Sequence, residues 1–182
     1  MRAILATSVL LCGLGFLIAG TVLQRESTAA NVNEENPQID YQGFLKQAQE
    51  VAQVREKRRI SEAEFLRMLE DSETVFLDAR SKAMYDLLHV KGAVHISLPD
   101  MTEEDLAKVI PDKQTKVVIY CNNNFKNEPT AFATKAPVAS LNLNTYNTLY
   151  SYGYRNIYEL KPLLDRKTTK IPFAGSLVED RK

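Results

Sequence analysis

Short apolar runs and helical-period stretches take turns along most of this chain, with turn residues between them. Residues 41–59 place Phe44, Leu45, Ala48, Val51 and Ala52 on one helical face and end in the basic cluster Arg55, Lys57, Arg58 and Arg59, which suits a solvated helix C-terminus. Ser61 and Glu64 have the spacing of a capping box, opening a helix that turns Phe65, Leu66 and Leu69 inward. The β-branched and aromatic run 74–77 predicts a strand ending at Asp78. Ser81 caps a helix through about Leu88, Gly92-Ala93 turns the chain, and 94–96 make a short strand. Thr102 opens the next helix, which stops before Pro111. Residues 116–120, KVVIY, are almost continuously apolar, the mark of a central strand covered on both faces. A helix runs from about Ala139 to Tyr152 with Leu141, Thr145, Leu149 and Tyr152 as its inner stripe, Asn142 and Asn147 outward, and Gly153 as its left-handed cap. A strand at 156–159, a turn of helix at 160–164 and a frayed tail from Gly175 complete the reading. The pattern predicts an α/β fold with a small parallel sheet, helices on both faces, and a leader and helix in front of it.

The leader comes from residues 3–23, an uncharged run behind Arg2 that is long enough as a helix to span about 30 Å. Thr28-Ala29-Ala30 offers small residues for cleavage, so a signal peptide and a retained membrane anchor both remain open. Cys12, preceded by leucines, reads as a small apolar residue and not as a lipid-attachment site. Charge placement puts the remainder outside the cytoplasm, periplasmic or secreted. The expected organisation is 1–30 leader, 31–59 linker and helix, 60–165 domain, and 166–182 tail.

Composition removes several classes of function. With 23 basic and 23 acidic side chains in 182 residues, the formal net charge is zero, and nucleic acid is not an expected partner. Two cysteines and two histidines, His89 and His95, are too few for a disulfide framework, a metal centre or an iron–sulfur cluster, so no metal and no cofactor are expected.

One candidate for chemistry remains, Cys121, directly after the central strand. Ligands of open α/β sheets bind beyond the carboxyl ends of the strands, where loops meet helix N-termini. Asn122, Asn123 and Asn124 tolerate left-handed backbone angles, so the loop can curl and aim amides at one point, stabilising a thiolate or an anion beside it. Lys126 adds a cation at the far side of the loop. Taken alone, Cys121 reads equally well as a small buried hydrophobe at a strand end.

Asp78-Ala79-Arg80, Tyr85, His89, Gly92-Ala93 and Ile96 follow one another at an ungapped spacing, with Ile119-Tyr120-Cys121 and 153–160 after them in order. In these motifs the chain resembles the rhodanese-like family of single-domain sulfurtransferases over about residues 60–165. The resemblance implies a loop cysteine that takes sulfane sulfur from a donor such as thiosulfate, holds it as a persulfide and passes it to a thiol or protein acceptor. Carried over by position, Cys121 is the nucleophile, Asn122, Asn123, Asn124 and Phe125 supply the anion-cradling loop, and Lys126 stands where many members have Arg or Thr. Asp78, Arg80 and His89 belong to the signature as structural residues. The sequence departs from the pattern in three places. The loop lacks its frequent glycine, residues 127–138 are inserted before the next helix, and Lys161-Pro162-Leu163-Leu164 replaces a terminal Gly-Gly and Trp. If the insertion moves the helix N-terminus away from Cys121, the thiolate loses part of its dipole support, and the inserted Pro129, Phe132, Lys135 and Pro137 form a lid or a partner-selective rim instead.

Two functions therefore compete: a sulfurtransferase, and a rhodanese-like binding or redox-sensing module without turnover. A phosphatase of related fold is disfavoured, because Asn127 stands where a Cys-x5-Arg loop needs its guanidinium.

Overall fold

The computed structural model describes residues 36–179. The expected leader and most of the linker lie outside these residues. Among the described residues no helix is long and apolar enough to cross a membrane. Residues from Gln38 onward form one unit.

The chain opens with α1 (Tyr41–Glu56), β1 (Arg59–Ile60), α2 (Glu62–Leu69) and β2 (Thr74–Asp78). It continues through α3 (Lys82–Leu87), β3 (His89–Val90), β4 (Val94–His95) and α4 (Glu103–Val109) to β5 (Lys116–Tyr120). After a 3-10 turn at Asn122–Asn124 come β6 (Phe125–Lys126), α5 (Leu141–Ser151), β7 (Ile157–Leu160), β8 (Leu164–Asp165), β9 (Phe173–Ala174) and α6 (Ser176–Glu179). The five-stranded sheet has the order β1-β7-β5-β2-β4, and every pairing in it is parallel.

The alternation of side chains along β5 explains why its sequence is apolar throughout. Val117 and Ile119 enter a core with Leu77, Leu106, Tyr146 and Leu149, under α1, α4 and α5. Val118 and Tyr120 enter the opposite core with Phe65, Phe76, Leu88, Phe125 and Phe132. Both faces are thus removed from water. The Ser61–Glu64 capping box forms as expected, with Ser61 N–H on Glu64 Oε2 at 2.9 Å and Glu64 N–H on Ser61 Oγ at 3.3 Å.

Four expectations need correction. The buried stripe of α5 is Asn142, Thr145, Tyr146 and Leu149, rotated from the expected one, so Asn142 faces inward instead of outward. Its amide is held by a buried partner described below, which offsets the loss of water. Residues 160–164 form no helical turn, because Pro162 lacks an N–H and pushes its predecessor out of the helical region. The segment from Gly175 is not frayed: β9 pairs antiparallel with β3, and α6 follows. Gly175 is required there, since its φ is +118° and a Cβ would stand 2.6 Å from the Leu87 carbonyl oxygen. In α1, finally, Val51 is buried while Phe44, Leu45 and Ala52 are exposed. The helix lies on α5 partly through polar contacts, with Gln47 Nε2 donating to the Asn147 carbonyl at 2.9 Å and to Ser151 Oγ at 2.8 Å.

Candidate active site

Cys121 leaves the carboxyl end of β5 and is 1% exposed. It occupies the N-cap position of the 3-10 turn in a capping-box arrangement, its side chain over the Asn124 N–H. That N–H is shared with the Cys121 carbonyl at 3.1 Å. In return the Cys121 N–H donates to Asn124 Oδ1 at 2.9 Å.

Asn124 explains how the turn is fixed. Its Oδ1 also accepts from Asn142 Nδ2 at 3.1 Å, and its Nδ2 donates to the carbonyls of Leu160 at 2.7 Å and Pro162 at 3.3 Å. One buried amide therefore ties the end of β5 to the first turn of α5 and to the exit of β7. With four polar neighbours it loses little by leaving water.

The thiol itself touches Ser140, whose Oγ lies 3.5 Å from Sγ. Ser140 is the N-cap of α5 yet makes no side-chain cap bond to its helix. Its hydroxyl is turned to sulfur instead. The insertion therefore does not carry this helix away from the cysteine: the eleven-residue α5 begins at the thiol. Its amide dipoles favour negative charge on sulfur.

A cleft of about 200 Å³ opens onto Cys121. Arg55, Arg59 and Lys161 line it, against a single carboxylate, Glu159, together with Asn123, Asn124, Pro137, Ser140, Asn142 and Leu143. The register of β1 on β7, Arg59 opposite Glu159, sets these two side chains on the same face of the sheet as α1 and α5. Arg55, in the last turn of α1, grips Glu159 by two hydrogen bonds, one from Nε and one from Nη2 at 2.6 Å. Glu159 is neutralised by that fork. Arg59 reaches Glu56 at 3.3 Å with Nη1 and leaves its buried Nε without a hydrogen-bond partner. The cleft keeps an excess of positive charge suited to an anionic ligand or a thiolate.

The loop residues expected around the sulfur divide. Asn123 and Asn124 line the cleft with Cys121. Asn123 clasps the inserted segment, its Nδ2 donating to the Lys135 carbonyl and its Oδ1 accepting from the Lys135 N–H, both at 2.9 Å. Asn122 turns to a different pocket on the other side of the turn. Phe125 is buried against Tyr120, Phe132 and Phe173, and its N–H closes the turn on the Asn122 carbonyl. Lys126 is exposed in β6, paired in register with Asp165 of β8. Phe125 and Lys126 therefore do not reach the cleft. The left-handed residue of this stretch is Asn127, at φ 66°, beyond the three asparagines expected to curl.

The insertion is part core and part rim. Ala131 and Phe132 are buried, Phe132 beneath the Arg80 guanidinium at 4.2 Å, while Pro137 lines the cysteine cleft. Arg55, Arg59, Ser140, Glu159 and Lys161 were missed as site residues in the sequence. The helix expected to run to Arg59 stops at Glu56 and Arg59 opens β1, so the cleft that collects this basic cluster depends on the parallel pairing of β1 with β7.

Asp78, Arg80 and Tyr120 form a separate, closed network. Arg80 donates to both Asp78 oxygens, from Nε at 2.9 Å and from Nη2 at 2.6 Å, and to the carbonyls of Ala131 and Leu88. Tyr120 Oη donates to Asp78 Oδ2 at 2.6 Å. Burial first, then the Asp78 charge, raises the Tyr120 phenol well above its ordinary range.

A stretch of 75 residues is 39% identical to tRNA uridine(34) hydroxylase of Staphylococcus aureus, covering 38% of this chain and 23% of that enzyme. The chain thus spans less than a quarter of the length of these curated relatives. A solution structure of a rhodanese-like domain from Anabaena is 22% identical, covering 69% of this chain and 83% of its own, with a TM-score of 0.48. Thiosulfate sulfurtransferase from Pseudomonas aeruginosa is 18% identical over 65% of this chain and 21% of its own, with a TM-score of 0.42. The description of the rhodanese-like domain matches residues 61–161, more than half of the sequence and the whole segment from the α2 capping box to the end of β7. The chain belongs to the rhodanese-like family.

Proposed function

We propose that the protein is a sulfurtransferase in which Cys121 carries sulfur as a persulfide. The observation that supports this reading is the setting of the thiol: Sγ faces the α5 N-cap hydroxyl at 3.5 Å, in a cleft where Arg55, Arg59 and Lys161 face one carboxylate. A thiolate there attacks the outer sulfur of an anionic sulfane donor such as thiosulfate. The sulfur–sulfur bond of the donor breaks, sulfite leaves with the electron pair, and the persulfide anion remains under the same dipoles. A thiol or protein acceptor then removes the terminal sulfur.

The test is thiocyanate formation from thiosulfate and cyanide by wild type and Cys121→Ser. The expected result is turnover in the wild type alone, with about 32 Da of added mass on Cys121 after donor without acceptor. Absence of both in the folded wild type would remove the enzymatic reading. A binding module would then be favoured by the 1% exposure of Cys121 and by the Phe125 N–H that is held within the turn. We further propose that residues 3–23 direct export, leaving the domain periplasmic or secreted. The mature N-terminus, read by mass spectrometry of protein from its native compartment, decides between a cleaved leader and an anchor.

A further inference from the structure

The residues inserted after β6 end in a strap that crosses the cysteine turn. Ala133 and Lys135 line the pocket beside Asn122, whereas Pro137 and Ser140 line the cleft of Cys121. All seven residues from 133 to 139 are exposed, Val138 at 89%. The ends are fixed: Ala131 and Phe132 are buried before the strap, and α5 follows Ser140. A segment without buried apolar side chains, held between two anchored ends, belongs to the least stable part of a fold.

One side chain ties the strap to the turn. Asn123 Oδ1 accepts from the Lys135 N–H and Asn123 Nδ2 donates to the Lys135 carbonyl, both at 2.9 Å. Among the described residues, the other hydrogen bonds of this stretch are internal to it, from the Ala139 N–H to the Ala136 carbonyl at 2.9 Å and from the Ser140 N–H to the Pro137 carbonyl at 3.2 Å. They give residues 136–140 a turn of their own, stiffened by Pro137, that moves as one piece. On its cleft side, Cys121 borders a space of about 200 Å³ and yet is only 1% exposed. Two neutral hydrogen bonds facing water are a weak fastening, and it opens far more readily than the domain unfolds.

We propose that residues 133–139 are a lid over Cys121, latched by Asn123 on the Lys135 backbone, and that reagents reach the thiol in the unlatched form. The lid is a property of the fold. Its use, which is to admit a sulfur donor and then an acceptor and to shield the persulfide between the two, rests on the sulfur-transfer reading.

The experiment measures access to the thiol without sulfur transfer. The full chain is alkylated with iodoacetamide, and the rate is read at the Cys121 peptide by mass spectrometry, which keeps Cys12 out of the signal. Asn123→Ala is expected to raise the rate about tenfold, because losing two hydrogen bonds shifts the lid towards its open form. Lys135→Pro breaks the latch from the other side, removing the N–H while leaving the Asn123 side chain on the cleft wall, and is expected to raise the rate about threefold. Lys135→Ala keeps the backbone groups and is expected to react at the wild-type rate. Hydrogen exchange on the same proteins locates the opening: the Lys135 N–H loses protection in Asn123→Ala, whereas Val118 and Ile119 of β5 keep theirs. Wild-type rates in both latch variants, equal acceleration by Lys135→Ala and Lys135→Pro, or loss of β5 protection together with the acceleration would overturn the proposal. None of these outcomes depends on thiocyanate formation, so a lid without turnover and turnover without a lid are told apart.

Discussion

Two buried polar clusters stand at the carboxyl ends of neighbouring strands, Asp78 closing β2 and Cys121 following β5, and they are completed differently. Around Asp78, the Arg80 guanidinium binds the carboxylate and two backbone carbonyls, and the carboxylate also holds the Tyr120 hydroxyl. The network lies in the core on the Tyr120 face of the sheet, among Phe76, Leu88 and Phe132, with Asp78 and Tyr120 fully buried. Around Cys121, Asn124 is equally well satisfied, but Ser140 leaves its helix uncapped, Arg59 leaves Nε unpaired and Asn122 leaves Oδ1 unpaired. The difference separates two uses of buried polarity. Groups that satisfy one another fix the fold, whereas the cysteine turn keeps a thiol and a hydroxyl whose bonding capacity the fold does not use up.

Removing Arg80 breaks this contrast most severely. Arg80→Ala leaves the Asp78 carboxylate buried without its cation and is expected to cost about 3–5 kcal/mol in denaturant unfolding. Cys121→Ala, at the wall of a cleft, is expected to change stability by no more than about 1 kcal/mol while abolishing thiocyanate formation. Equal losses of stability in the two variants would show that the thiol belongs to the structural network.

Asn124→Ala tests the frame that holds the cysteine turn. It removes the acceptor for the Cys121 and Asn142 groups and the donor to Leu160, with an expected loss of about 1–3 kcal/mol. Sulfur transfer is expected to fall further than stability does, because the thiol then loses its fixed direction. Kinetics at a temperature where the variant is fully folded check this.

High pH sharpens the structural side. Tyr146 donates to the Ile157 carbonyl at 3.1 Å, and burial pushes its phenol up to about 12. An unfolded tyrosine ionises near pH 10, so this contribution to stability is complete below that pH and declines as pH rises towards 12. Phenolate absorbance of the native protein is expected to lag behind that of the unfolded chain across this interval.

Much of the fold was legible because local signals agreed with global ones. The KVVIY run required two covered faces, and the Ser61–Glu64 pair opened its helix where the spacing indicated. Errors arose where a polar residue has a distant partner. Asn142 looked solvent-facing because nothing nearby in sequence reveals that Asn124 will meet it, and Gly175 looked frayed because its neighbour is the carbonyl of Leu87. The position of Cys121 at the end of the central strand was legible from the apolar run before it. The cations around it were not, since Arg59 and Lys161 converge only when β1 pairs with β7, and a helix-terminal basic cluster alone reads as solvated.

The smallest effect distinguishes the cations from one another. Arg55 is unsuited to the test, because Arg55→Gln would leave Glu159, whose side chain is 5% exposed, without its counter-ion and confound binding with stability. Arg59 is partly exposed and reaches Glu56 only at 3.3 Å, so Arg59→Gln removes a charge from the cleft with little structural consequence. The expected outcome is a rise of about two- to fivefold in the KM for thiosulfate with kcat nearly unchanged, since the charge acts on the donor before the sulfur bond breaks. Lys161→Gln is expected to behave alike, and both effects are expected to shrink at high ionic strength, where the cleft potential is screened. A drop in kcat with unchanged KM would instead place Arg59 against the departing sulfite. Initial rates against thiosulfate at low and high salt, with unfolding curves of the same preparations, separate these outcomes.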